Sequence, residues 1–101
     1  MTIKSITTDA LQDTLMAATD DIVLDVREID EYNNGHINDA VNLPLSTLDQ
    51  QADTLDKEKA YYVICKRGGR STKAAEYLHA QGYDVTNVEG GMDDWHSEIE
   101  I

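Results

Sequence analysis

Basic residues are scarce in this chain, with eight Lys and Arg against 20 Asp and Glu in 101 residues, and cysteine occurs once. The resulting formal net charge of −12 argues against nucleic acid as a partner, because such a surface needs clustered cations to displace counterions from phosphates. A lone cysteine cannot close an internal disulfide, and one cysteine with three scattered histidines has no zinc-ligand spacing. Long hydrophobic runs are missing as well: no apolar segment approaches the ~20 residues of a membrane span. The opening Met1-Thr2-Ile3-Lys4-Ser5 lacks the apolar stretch and cleavage site of a secretory signal, so a cytoplasmic location without membrane contact is expected. Repeats, low-complexity stretches and linkers are absent too. Together with a hydrophobic fraction of 41% and a charged fraction of 28%, this predicts one globular domain over residues 1–101, burying somewhat over ~60% of the surface its unfolded chain exposes.

What is present alternates between two periods. Residues 3–6 read as a short strand. Thr7 or Thr8 is placed to cap a helix whose apolar face holds Ala10, Leu11, Leu15 and Ala18, ended by Asp20 and Asp21. Residues 22–26 are nearly all apolar and β-branched, as in a strand buried on both faces. A short helix over 27–34 stops at Gly35. Residues 40–43 form a strand closed by Pro44, the only proline, and 46–53 are weakly helical. The strongest strand of the second half, 60–64, runs directly into Cys65-Lys66-Arg67-Gly68-Gly69-Arg70-Ser71. A helix follows, with Ala74, Ala75, Leu78 and Tyr77 inward and Gly82 as its stop. A last strand spans 84–88, and Gly90-Gly91 opens a short helix containing Met92 and Trp95, which are expected to close the core. Strand and helix in alternation mean an α/β fold, a mainly parallel five-stranded sheet covered by helices on both faces. Ligands of such sheets bind beyond the carboxyl ends of the strands, where Cys65 falls.

A strand that delivers a cysteine into a tight turn and then a helix can aim successive backbone N–H groups at one point beside the positive end of the helix dipole. Gly68 and Gly69 allow the dihedrals of such a cradle and keep side chains out of it. Four of the eight basic residues, Lys66, Arg67, Arg70 and Lys73, lie within eight positions of one another beside the cysteine. A free thiol with a pKa of ~8.5 is lowered to somewhere within ~3.5–7.5 in such surroundings. Because nucleophilicity falls along with the pKa, generating thiolate is only part of the cradle's purpose; it must also hold a charged substrate and product. An isolated cysteine at a strand end is most often a small buried hydrophobe. Such a residue needs neither paired glycines nor flanking cations, and their joint occurrence points to chemistry.

The segment Cys65 to Ser71 resembles the rhodanese active-site loop, Cys-x-x-Gly-x-Arg-Ser. Asp25-Val26-Arg27-Glu28, Gly35-His36-Ile37 through Ala40, Asn42 and Pro44, and Glu89-Gly90-Gly91-Met92 with Trp95 resemble the rest of that domain in order. Asn38-Asp39 stands where the family often has Pro-Gly. Cysteine-based phosphatases and arsenate reductases of this fold place five residues between cysteine and arginine, whereas this chain has four. The resemblance therefore implies a rhodanese-like fold and a pocket sized for sulfur. It implies sulfurtransferase activity in which Cys65, as a persulfide, carries sulfur from thiosulfate or a persulfide donor to a thiol or cyanide. A sulfur-relay protein is a possible partner, and the chemistry needs no cofactor or metal. Lys66, Arg67, Gly68, Gly69, Arg70 and Ser71 are then the substrate-binding residues, with the cationic Lys66 and Arg67 favouring anionic donors and Arg70 binding a donor or tying the loop to a carboxylate. Asp25 and Arg27 support the loop or pair with each other. His36 reads as a domain signature rather than a catalytic base, and His79 and His96 as surface residues. The alternative function is a sulfur carrier or regulatory binding module with little small-molecule turnover.

Overall fold

The computed structural model describes residues 3–101. Five strands, β1 (Lys4–Ile6), β2 (Ile22–Asp25), β4 (Val41–Asn42), β5 (Ala60–Ile64) and β6 (Asp84–Val88), form one sheet in the order β1-β6-β5-β2-β4, and every pairing in it is parallel. The central position of β2 and β5 follows from composition: Val23, Leu24, Val63 and Ile64 are all buried, so successive side chains need cover on opposite faces.

Two apolar clusters provide that cover. On one face Leu24, Val26, Val63 and Val85 pack against Ala74, Ala75 and Leu78 of α4 (Gly69–Ala80) and Leu48 of α3 (Leu48–Gln51). On the other, Val23, Ile64 and Val88 pack against Leu11 of α1 (Thr8–Met16), Ile37 and Ala40, with Tyr32 of α2 (Ile29–Asn33), Met92 and Trp95 at the margin. Each fully buried aliphatic side chain of this kind contributes roughly 1.5–3 kcal/mol, an upper figure because unfolded chains already bury some apolar surface.

Some elements depart from the sequence expectation. α1 ends at Met16 instead of running to Asp20: Ala18 adopts φ 58, turns the chain and is exposed; Ala10, inside the helix, is exposed as well, while Thr8 takes an inward place and bonds the Asp94 carbonyl. Thr7 is the cap, accepting the Ala10 N–H. α2 begins two residues late, at Ile29, because Arg27 is drawn inward by Asp25 and the Glu28–Glu31 capping box starts the helix. Trp95 lies just past the 3-10 turn Gly91–Asp94. A two-stranded antiparallel ribbon, β3 (His36–Ile37) with β7 (Ile99–Glu100), was not anticipated; two-residue strands carry no periodicity to read. No helix among the described residues is long and apolar enough to cross a membrane.

The topology creates one crevice. From β2 the chain moves outward to β4, and from β5 it moves the opposite way to β6. β2 and β5 are neighbours, so their carboxyl ends flank the switch point at which α/β sheets bind ligands. Cys65 follows β5 there, and Arg27 follows β2.

Candidate active site

Ile64 is held in register with Asp25, and its carbonyl accepts the Val26 N–H, so Cys65 leaves the sheet at a defined height. The chain then turns through Gly68, whose φ of +114 is the left-handed conformation that side chains resist, and enters α4 at Gly69. The Gly68 N–H donates to Cys65 Sγ at 3.0 Å. Cys65 itself is only 1% exposed, at the floor of a shallow depression of about 350 Å³ lined by Cys65, Lys66, Arg67, Gly69 and Arg70. A Cβ added at Gly69 would meet nothing within 4 Å, so this glycine leaves the mouth open rather than relieving backbone strain.

Burial alone pushes the Cys65 thiol up, but the Ser71 hydroxyl and the backbone N–H groups of Ser71, Gly68 and Arg67 together outweigh it and hold the thiol below its ordinary range. Ser71 is fully buried in the first turn of α4, 3.4 Å from Sγ, and Asn87 on β6 lies 2.6 Å from the same hydroxyl.

The support beneath the loop comes from a segment whose role the sequence did not disclose. The Cys65 carbonyl accepts from Met92 N–H at 2.8 Å, and the Lys66 carbonyl from Asp93 N–H at 2.9 Å. In a trans peptide the C=O and N–H point in opposite directions, so pinning the Lys66 carbonyl on the 3-10 turn aims the Arg67 N–H toward the sulfur. Gly91, at φ +58, must be glycine for a steric reason too, because a Cβ there would stand 2.4 Å from the Cys65 carbonyl oxygen. The paired glycines were the one available signal.

Asp25 and Arg27 meet each other. Asp25, fully buried, accepts from the Arg27 backbone N–H, Nε and Nη2, and Nη2 also reaches the Gly35 carbonyl at 2.7 Å. Asn42 ties both backbones together by donating to the Asp25 and Arg27 carbonyls, each at 2.9 Å. Arg70 is tied to a carboxylate missed from sequence: Nη1 and Nη2 bond the two oxygens of Glu31 at 2.6 and 2.9 Å. Chiefly through that contact Glu31 is held down at about 2. Arg67 is mostly exposed and bonds Asp93 at 3.1 Å. Lys66 is exposed and has no carboxylate partner among the described residues. His36 stacks on Tyr32 with 3.6 Å between ring centroids, and its nitrogens face the Tyr32 carbonyl and Glu100. His79 and His96 are exposed. Among the described residues no group of His, Cys, Asp and Glu is arranged to hold a metal ion.

A parallel sheet whose central strand hands a cysteine to a glycine turn and a helix N-terminus defines a class, and comparison with known proteins agrees with it: the model of the rhodanese-like domain matches residues 7–98. The chain belongs to the rhodanese-like family. It is 41% identical over 98 residues to YtwF of Bacillus subtilis, whose name assigns it provisionally to the sulfurtransferases, covering 97% of this chain and 95% of that one. It is 37% identical over 75 residues to the thiosulfate sulfurtransferase GlpE of Shewanella oneidensis, covering 73% and 74%. A crystal structure of a rhodanese-like domain protein from Staphylococcus aureus superposes with a TM-score of 0.92 at 41% identity, covering 98% of both chains.

Proposed function

We propose that the chain, as one catalytic domain within residues 1–101, is a sulfurtransferase that carries a sulfane sulfur as a persulfide on Cys65. The Cys65 thiolate attacks the outer sulfur of thiosulfate or of a persulfide; a new S–S bond forms, and the donor's own S–S bond breaks, its electron pair leaving with sulfite or a thiolate. An acceptor thiolate or cyanide then attacks the outer sulfur, and the pair of the broken bond returns to Cys65 as thiolate. Charge sits on sulfur throughout, and the N–H groups of Arg67, Gly68 and Ser71 serve it without a proton-transferring base. Lys66, Gly69 and Arg70 border the donor, while Asp25 and Arg27 support the crevice from β2. A reactive thiol of this kind suits a reducing compartment such as the cytoplasm.

The observation that carries this reading is the Gly68 N–H at 3.0 Å from a sulfur held at the mouth of α4. The names of GlpE and YtwF support the reaction class. The test is mass measurement after incubation with thiosulfate or a small persulfide: the chain gains the mass of one sulfur, cyanide removes it as thiocyanate, and Cys65→Ser gains nothing. A chain that stays unmodified by every donor overturns the proposal. A second reading, a protein-to-protein sulfur carrier, draws on the shallowness of the depression, which offers a small donor few contacts. It requires loading from a partner's persulfide to outpace loading from any small donor.

A further inference from the structure

Read along the sequence, the cysteine loop is a cluster of positive charge. Folding brings carboxylates to it from two other elements. Asp93, from the 3-10 turn, accepts directly from the exposed Arg67, and Glu31, from α2, grips Arg70 with both oxygens. The second contact is the stronger, being bidentate with both side chains only about a third exposed, 35% for Arg70 and 31% for Glu31. Glu31 is not free to swing away, since its Oε1 also accepts the Glu28 N–H in the capping box. A carboxyl held at about 2 stays ionised at any working pH. Of the three cations lining the depression, Lys66, Arg67 and Arg70, Lys66 is the one without a carboxylate partner among the described residues.

We propose that Glu31 sets donor selectivity: by occupying the two terminal amino groups of Arg70 it withdraws the cation a dianionic donor needs, so the site takes donors of low charge, persulfides and thiosulfonate monoanions, ahead of thiosulfate. The proposal rests on the persulfide chemistry of Cys65. The physical reason is that the nucleophile is itself an anion. A thiosulfate dianion approaching a thiolate is repelled unless a cation beside the path offsets it; the Lys66 ammonium is exposed and screened by solvent, and the less exposed Arg70 is engaged by Glu31. A persulfide or thiosulfonate presents the same transferable sulfur with less charge. In each case the S–S bond to Cys65 forms as the donor's S–S bond breaks, and sulfite, a sulfinate or a thiolate leaves with the electron pair.

Glu31→Gln tests this, because glutamine keeps the shape and the acceptor for Glu28 while removing the charge. Cys65 loading is measured with thiosulfate and with methanethiosulfonate, which transfers the same sulfur with one charge fewer. The substitution is expected to raise the second-order loading rate for thiosulfate about tenfold while changing that for methanethiosulfonate less than about threefold. Equal change for both donors, or no gain for thiosulfate, overturns the proposal. A readout without sulfur transfer separates it from the broader reading: sulfate should protect Cys65 from iodoacetamide at about tenfold lower concentration in Glu31→Gln than in the unaltered chain. If neither donor loads either chain but sulfate protection shifts in this way, sulfur transfer fails and the Glu31 latch stands. If loading proceeds and the protection does not shift, the latch fails.

Discussion

β2 and β5 are adjacent parallel strands, each delivering an anion-forming side chain to the same crevice, and the two ends handle it in opposite ways. At the end of β2 the Asp25 carboxylate is matched by a full cation two residues on, with the Arg27 guanidinium and backbone N–H both bonded to it. At the end of β5 the Cys65 sulfur is contacted by dipoles, peptide N–H groups and one hydroxyl, while the guanidinium of Arg70 acts on it through space and is itself bonded to Glu31. An anion paired with a cation is quenched and holds structure together. An anion held by preorganised dipoles is stabilised but keeps its electron pair available, as a nucleophile requires.

If that contrast is right, the β2 end governs stability and the β5 end governs the sulfur. The largest stability effect is expected from Asp25→Asn, which leaves Arg27 buried without its carboxylate and should cost about 3–5 kcal/mol in chemical denaturation. The pH midpoint of Cys65 alkylation should stay where it is; a shift there would break the contrast. Gly91→Ala comes next. Its Cβ cannot share space with the Cys65 carbonyl, so the 3-10 turn must move, costing roughly 1–3 kcal/mol and slowing alkylation of Cys65 at neutral pH as the Arg67 N–H loses its aim. Stability lost without any change in alkylation would mean that the turn only packs.

Ser71→Ala should be the mildest for the fold, about 1 kcal/mol by thermal or chemical melting. For the sulfur it acts in a definite direction. The hydroxyl helps hold the thiol below its ordinary range, so removing it raises the pH at which the alkylation rate reaches half its maximum, and the rate at pH 7 falls several-fold. Ser71→Thr, retaining the hydroxyl, should restore the midpoint. A midpoint unchanged in Ser71→Ala would leave the backbone N–H groups alone responsible.

The β5 end was also the more legible in sequence. An apolar run, a glycine pair and a helical apolar face are all local signals, so residues 60–80 could be read as strand, turn and helix, with Cys65 at the junction. α1 was misjudged at its end because Ala10 and Ala18 are as compatible with a solvent face as with a core face; apolar character in so small a residue decides little. The short ribbon of β3 and β7 escaped because its partners lie some sixty residues apart and two residues show no period.

By itself, then, the sequence determined the α/β alternation, the place of the single cysteine at a strand end, and a glycine turn able to direct N–H groups at it. Those follow from local periodicity and from the dihedral freedom of glycine. Only the tertiary structure decided what surrounds the sulfur: Met92 and Asp93 fixing the loop's carbonyls, Asn87 reaching Ser71 from β6, and Asp93 and Glu31 meeting the cations. The reason is that charges and hydrogen-bonding groups act through space, and Glu31 and Arg70 are 39 residues apart until the sheet sets β2 beside β5. A run of positive residues in the chain thus becomes, once folded, a mouth whose two arginines are already matched by carboxylates.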